Sequence, residues 1–143
     1  MTESQIKIIA IDDEPNILLS IASCLNTESV QVDTYDNSAD AFIAMQRQVY
    51  DCAIIDIRIG NENGIQLFKN VRKADINTPT IFISGNASLH EAAESQKLGA
   101  YDFIEKPFSS EKLKITIDNC LQFYRLQTKL SQLQTNIVDK ELV

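Results

Sequence analysis

Four short stretches of the chain carry side chains that could do chemistry together: Asp12-Asp13, Asp56, Ser84 and Lys106. Each stands at or just past the end of an apolar run. Asp12 follows Ile6-Lys7-Ile8-Ile9-Ala10-Ile11, Asp56 follows Cys52-Ala53-Ile54-Ile55, Ser84 closes Thr80-Ile81-Phe82-Ile83, and Lys106 comes after Tyr101-Asp102-Phe103-Ile104-Glu105. Taken singly, each has a plain explanation. Acidic residues favour helix N-termini, and Asp or Ser often starts a turn. Taken together, in this order, they describe a site. If the runs are parallel strands, all four stretches meet at one sheet edge. Three carboxylates gathered there repel one another and require a cation. Mg²⁺ suits them, since it accepts few carboxylates and keeps positions for water and phosphate oxygens. A hydroxyl from Ser84 and an ammonium from Lys106 then suit a phosphoryl group, whose charge spreads over its oxygens.

The elements that would position these residues alternate along the chain. Strand-type runs at residues 6–11, 30–35, 52–56, 80–84 and 101–104 are separated by helix-type segments. Ile17, Leu18, Ile21, Ala22 and Leu25 mark the first helix, with Pro15 suited to its first turn. Ser38 is a candidate N-cap for the second, with Ala41, Phe42 and Met45 facing inward. Residues 58–64 read as a loop, and Ile65, Leu67, Phe68 and Val71 mark the third helix. Ser88-Leu89-His90-Glu91 has the capping-box pattern for the fourth, which should stop near Gly99. Ser109 can cap a fifth helix beginning near Ser110. Short, continuously apolar strands indicate burial on both faces. Five strands alternating with five helices predict an α/β fold, a doubly wound parallel sheet with right-handed crossovers. Such sheets bind ligands at the carboxyl ends of their strands.

Composition narrows the function. The chain has 143 residues and a formal net charge of −7, which argues against nucleic-acid or anionic-membrane binding through bulk electrostatics. No apolar run is long enough for a membrane-spanning helix, and the first residues lack signal-peptide character. Three dispersed cysteines, Cys24, Cys52 and Cys120, read as reduced packing residues and suggest a cytoplasmic location. His90 is the only histidine, which excludes most histidine-based metal and hydrolytic sites.

The combined pattern resembles the receiver domain of two-component response regulators. It rests on Ile9-Ala10-Ile11-Asp12-Asp13-Glu14, Ile54-Ile55-Asp56-Ile57-Arg58, Gly64, Ile83-Ser84-Gly85 and the stretch from Gly99 to Phe108. Residues 5–124 are covered, and the last stretch with its long following helix is most similar to receivers of NtrC-type transcription activators. The resemblance implies a flavodoxin-like fold with strand order 2-1-3-4-5. It implies that Asp56 accepts a phosphoryl group from a sensor histidine kinase. Asp13, Asp56 and the backbone carbonyl of Arg58 would hold Mg²⁺, and Asp12 would orient a metal-bound water. Ser84 would turn its hydroxyl to the phosphoryl group, Lys106 would pair with it, and Phe103 would be the aromatic switch residue. Phosphorylation would bias a face made by the fourth helix, fifth strand and fifth helix. The chain would catalyse only its own phosphorylation and dephosphorylation. Two departures stand out: Gly60 replaces a frequent proline, which predicts a more mobile loop, and Ser84 replaces the commoner threonine. Arg58 and Asn86 occupy positions that tune phosphoryl lifetime in the family.

Beyond the receiver, residues 125–143 read as a helical extension. Leu126, Leu130, Leu133 and Ile137 step by four, three and four residues, an a/d seam that predicts a parallel coiled coil and a homodimer. In NtrC-type proteins an ATPase domain and a DNA-binding domain follow such a linker. Neither a phosphate-binding Gly-rich loop nor a helix-turn-helix follows here, so a stand-alone receiver or a piece of a longer parent both fit. A degenerate receiver acting as a binding module and a metal-dependent aspartyl phosphatase are the alternatives. Arg58 counts against the phosphatase, because such enzymes carry an acidic residue at that position.

Overall fold

A computed structural model describes residues 5–85 and 89–141. In chain order the elements are β1 (Ile6–Ile11), α1 (Pro15–Leu25), β2 (Val30–Tyr35), α2 (Ser38–Arg47), β3 (Cys52–Asp56), β4 (Arg58–Ile59), β5 (Glu62–Asn63), α3 (Gly64–Lys73), β6 (Thr80–Ser84), α4 (Leu89–Lys97), β7 (Asp102–Glu105) and α5 (Ser110–Glu141). Five strands form one parallel sheet in the order β2-β1-β3-β6-β7. Counting those strands alone, this is the expected 2-1-3-4-5 order.

Side-chain alternation along the strands explains the unbroken apolar runs. Ile9, Ile11, Ala53, Ile55 and Phe82 point to one face, where they pack with Ala41 and Met45 of α2 and Leu67, Phe68 and Val71 of α3. Ile8, Ala10, Cys52, Ile54, Ile81 and Ile83 point to the other, against Ile21 and Leu25 of α1 and Leu113, Ile117 and Cys120 of α5. Both faces of β1, β3 and β6 are therefore largely covered, so their side chains are mostly apolar, with Lys7, Thr80 and the strand-end residues Asp56 and Ser84 as the polar exceptions. The edge strand β2 leaves Gln31 and Thr34 exposed. Cys52 and Cys120 are buried within the second layer, in keeping with their reading as packing residues.

Local signals place most helix ends. Pro15 opens α1. The Ser109 hydroxyl accepts from the Lys112 amide at 3.0 Å and starts α5. Beyond α4, Gly99 adopts φ +99°, as expected of a residue closing a helix. Three expectations are corrected. The N-cap of α2 is Asn37, whose side-chain oxygen accepts from the Asp40 amide at 2.9 Å, while Ser38 is the first helical residue. Both residue types cap well, and only the backbone decides between neighbours. The fifth sheet strand spans Asp102–Glu105, one residue later than expected. The stretch after Arg58 is not an irregular loop: β4 and β5 form a small antiparallel hairpin. Its two-residue turn has Gly60 at φ +60°, a conformation glycine adopts freely and proline cannot. Ser88 and Asn86 lie outside the described residues.

Gly64 joins the hairpin to α3 at a point of very close approach. Its amide donates to the Ile57 carbonyl at 2.7 Å. A Cβ there would collide with the backbone oxygen of Asp56 and lie 2.8 Å from Ile55 Cγ2. Gly64→Ala is expected to cost about 1–3 kcal/mol, as overpacking in a dry core does. Equilibrium urea unfolding beside the wild type tests this, and an unchanged midpoint would show that the end of β3 yields freely.

Candidate functional site

The carboxyl edge of the sheet gathers the residues singled out above. Asp12 follows β1, and its amide donates to the Tyr35 carbonyl at 3.1 Å. Asp56 ends β3, level with Ile83 of β6. Ser84 ends β6, level with Glu105 of β7, and its carbonyl accepts from the Lys106 amide at 2.8 Å. That backbone bond fixes where the lysine departs from the sheet. The Lys106–Pro107 peptide is cis.

Lys106 Nζ lies 2.8 Å from Asp12 Oδ2 and 2.8 Å from Asp56 Oδ2. Glu14 Oε1 stands 3.5 Å away on the exposed rim. Asp12 Oδ1 accepts from the Glu14 amide at 2.9 Å, and Asp56 Oδ1 accepts from the Arg58 amide at 3.1 Å. Asp12 is fully buried and Asp56 is 4% exposed, whereas Asp13 faces solvent. Carboxylate oxygens of Asp12, Asp13 and Asp56 all lie within 4.8 Å of one another.

Charge is therefore unbalanced. Three carboxylates face one ammonium, and Glu14 adds a fourth acid at the rim. Burial is the main force pushing the Asp12 carboxyl up from 3.8 to about 6; repulsion by Asp56 adds to it, and Lys106 and the Glu14 amide pull the other way. Burial alone would lower the Lys106 ammonium, yet its bonds to Asp12 and Asp56 hold it well above its ordinary value. The lysine thus stays charged, while the carboxylates carry an uncompensated negative charge. A hard divalent cation fits this donor set: all the side-chain ligands are carboxylate oxygens, one is solvent-facing, and a backbone carbonyl follows at Arg58.

The structure brings Asp12, Asp13, Asp56 and Lys106 into one cluster and places Ser84 on the adjoining strand end. Phe103 is separate. It is half-buried on β7 beside Phe82 and packs on the α2–α3 side of the sheet. The Arg58 side chain also turns away, placing its guanidinium 3.4 Å from Glu91 on α4. Glu14 was given no role by sequence reasoning. Its place in the acidic run Asp12-Asp13-Glu14 was the only available signal. His90 is exposed on α4, as a surface residue should be.

Comparison with known proteins identifies the family. Residues 8–118 match the family described as response regulator receiver domain. A response regulator of Rickettsia felis described as NtrX-like is 32% identical across 98% of this chain and 30% of its own length. The alginate biosynthesis transcriptional regulatory protein AlgB of Pseudomonas syringae pv. tomato is 29% identical across 95% of this chain and 30% of its own. The crystal structure of NtrX from Brucella abortus superposes with a TM-score of 0.82 at 28% identity, covering 91% of this chain and 29% of that one. The chain thus spans about 30% of the length of the curated relatives it matches.

The raised Asp12 carboxyl has a measurable consequence. In the unfolded chain it ionises near its ordinary 3.8, in the folded chain near 6. Ionisation therefore favours the unfolded chain first, and in a chelator the protein loses stability as pH rises across that window. Asp12→Asn removes the buried charge but also one partner of Lys106. The net expectation in chelator at pH 7 is a Tm higher by about 3–8 °C. Mg²⁺ should raise the wild-type Tm by mass action and raise that of Asp13→Asn much less. A lower Tm for Asp12→Asn in chelator would mean that the Lys106 pair outweighs the burial cost.

Proposed function

Since the chain belongs to the response regulator receiver family, we propose that it accepts a phosphoryl group on Asp56 from a phosphohistidine of a sensor histidine kinase. The observation that carries this reading is Lys106 Nζ at 2.8 Å from both Asp12 and Asp56, inside a cluster of three carboxylates at the carboxyl edge of the sheet. An Asp56 carboxylate oxygen forms the new bond to phosphorus, and the phosphorus–nitrogen bond to the donor imidazole breaks. The electron pair of that bond returns to the imidazole, which takes up a proton. Asp13, Asp56 and the Arg58 carbonyl are the residues that would hold Mg²⁺, with Asp12 orienting its water. A bound Mg²⁺ supplies neutralisation of the charge on the incoming phosphoryl oxygens.

The chain's own groups do the rest. Lys106 is fixed by the Ser84 carbonyl and stays protonated, so it meets the transferred oxygens as a point charge. The Arg58 amide keeps Asp56 Oδ1 oriented. The buried Ser84 hydroxyl follows the new oxygens from the neighbouring strand end. Phe103, on the strand that carries Lys106, then changes its packing, and the surface formed by α4, β7 and α5 reads out the state. The chain catalyses only its own phosphorylation and the hydrolysis that ends it.

The output is control of transcription from a cytoplasmic location, through ATPase and DNA-binding domains in a longer parent chain. α5 supports a dimer. It runs unbroken from Ser110 to Glu141, and Leu126, Leu130 and Leu133 remain 57–61% exposed along it. Among the described residues nothing covers these three leucines at a/d spacing. The Ile137 side chain lies outside the described residues. Among the described residues no helix is long and apolar enough to cross a membrane.

Intact-mass analysis with Mg²⁺ and acetyl phosphate tests the proposal. One base-labile phosphoryl adduct is expected on the wild type and none on Asp56→Asn, with solution molecular weight followed in parallel. An adduct that survives Asp56→Asn, or none at all, overturns the assignment of Asp56. A monomer in both states overturns the α5 dimer.

A further inference from the structure

Among its described side chains, α4 is lightly anchored. From His90 to Lys97 its apolar residues are only Ala92 and Ala93, and its one buried residue in that stretch is Ser95. By contrast α3 buries Ile65, Leu67, Phe68 and Val71. A helix with so little apolar contact opens at low free energy, so weak polar contacts weigh heavily on it. Two such contacts reach the same face of α4, since Glu91 and Glu94 are three residues apart. Arg58 places its guanidinium 3.4 Å from Glu91, and Lys69 of α3 places its ammonium 3.7 Å from Glu94.

The two cations stand on different footings. Lys69 belongs to a helix fixed in the core. Arg58 belongs to the hairpin that follows Asp56, and its own amide donates to Asp56 Oδ1. One residue therefore touches the candidate acceptor with its backbone and α4 with its side chain. Its side chain is 68% exposed, beyond an anchored backbone. A phosphoryl group on Asp56 adds roughly one to two negative charges two residues away. Planar guanidinium forks favour phosphate oxygens over a single carboxylate contact.

We infer that the Arg58–Glu91 ion pair is an electrostatic latch that ties α4 to the acceptor strand, and that a phosphoryl group on Asp56 opens it by drawing Arg58 away from Glu91. The inference rests on Asp56 being the acceptor. Lys69–Glu94 remains closed in both states and acts as the hinge side of the helix. Glu91 is thus a positioning residue for Arg58, and the helix it leaves belongs to the surface that reads out the state.

Amide hydrogen exchange across α4 in the full chain tests this, with phosphorylation maintained by acetyl phosphate and Mg²⁺ and verified by intact mass. Glu91→Gln is a suitable variant because glutamine also satisfies the capping-box pattern, so the charge alone is lost. Without phosphodonor at low salt, Arg58→Gln and Glu91→Gln should each speed α4 exchange about two- to fivefold, as loss of an exposed pair does. The double variant should be no faster than either single one. Salt at about 0.5 M should abolish the difference from wild type. Phosphorylated wild type should exchange across α4 as the Glu91→Gln variant does, whereas Lys69→Gln should speed exchange in both states. A silent Arg58→Gln beside an active Glu91→Gln would reduce Glu91 to a helix-end charge and overturn the latch. A verified adduct with unchanged α4 exchange would overturn the phosphoryl trigger. Absence of any adduct would instead overturn the acceptor assignment, with the resting latch still decided by the variants.

Discussion

The whole arrangement depends on one electrostatic constraint: three carboxylates share a sheet edge with a single ammonium. Lys106 contacts Asp12 and Asp56 at 2.8 Å each, and neither acid has appreciable access to solvent. Burying acids this way is costly, and a lone pair partner does not cancel it. The fold tolerates the cost because the acids sit where parallel strands end and backbone amides converge. The Glu14 and Arg58 amides each donate to one of those carboxylates. The residual negative charge makes the edge a fitting place for a divalent cation. The same charge keeps the domain short of its greatest stability, which is the usual cost of a site held ready.

The scaffold answers that constraint with rigidity on one side and looseness on the other. β1, β3 and β6 are largely covered on both faces, and Gly64 presses against the carbonyl of Asp56 so closely that no side chain fits. These features leave the backbone of Asp56 little freedom. From His90 to Lys97, α4 has only Ala92 and Ala93 as apolar residues and buries only Ser95. A change of charge at Asp56 therefore has a stiff support to push from and a light element to move. Arg58 spans the two, through its amide on one side and its guanidinium on the other.

Much of this was legible in the residues. Alternating apolar runs and helical stripes specify the doubly wound sheet, because a strand buried on both faces cannot be mistaken for a half-exposed one. The acids at strand ends specify the cluster, since parallel topology sends every strand's carboxyl end to one edge. The long last helix was visible as well, from the stripe Leu113, Ile117, Cys120 and the seam that follows it. Other features were not legible. Asn37 and Ser38 are both good caps, and the choice between them rests on which one has extended backbone, here Asn37. The β4–β5 hairpin is two residues a side, too short for any alternation to declare it. Glu14 carries the same charge as its neighbours, and only its position shows that it reaches Lys106.

By itself the sequence determined the architecture and which acids and which lysine meet at the sheet edge. These follow from burial and charge, which are properties of residue type and order along the chain. Only the tertiary structure decided which oxygens meet Lys106, why Gly64 admits no side chain, and that Arg58 reaches across to Glu91 while its amide stays on Asp56. Those contacts join residues far apart in the chain or distant sides of one residue. Their distances are set by the register of the sheet and by how helices pack on it, so no local pattern encodes them.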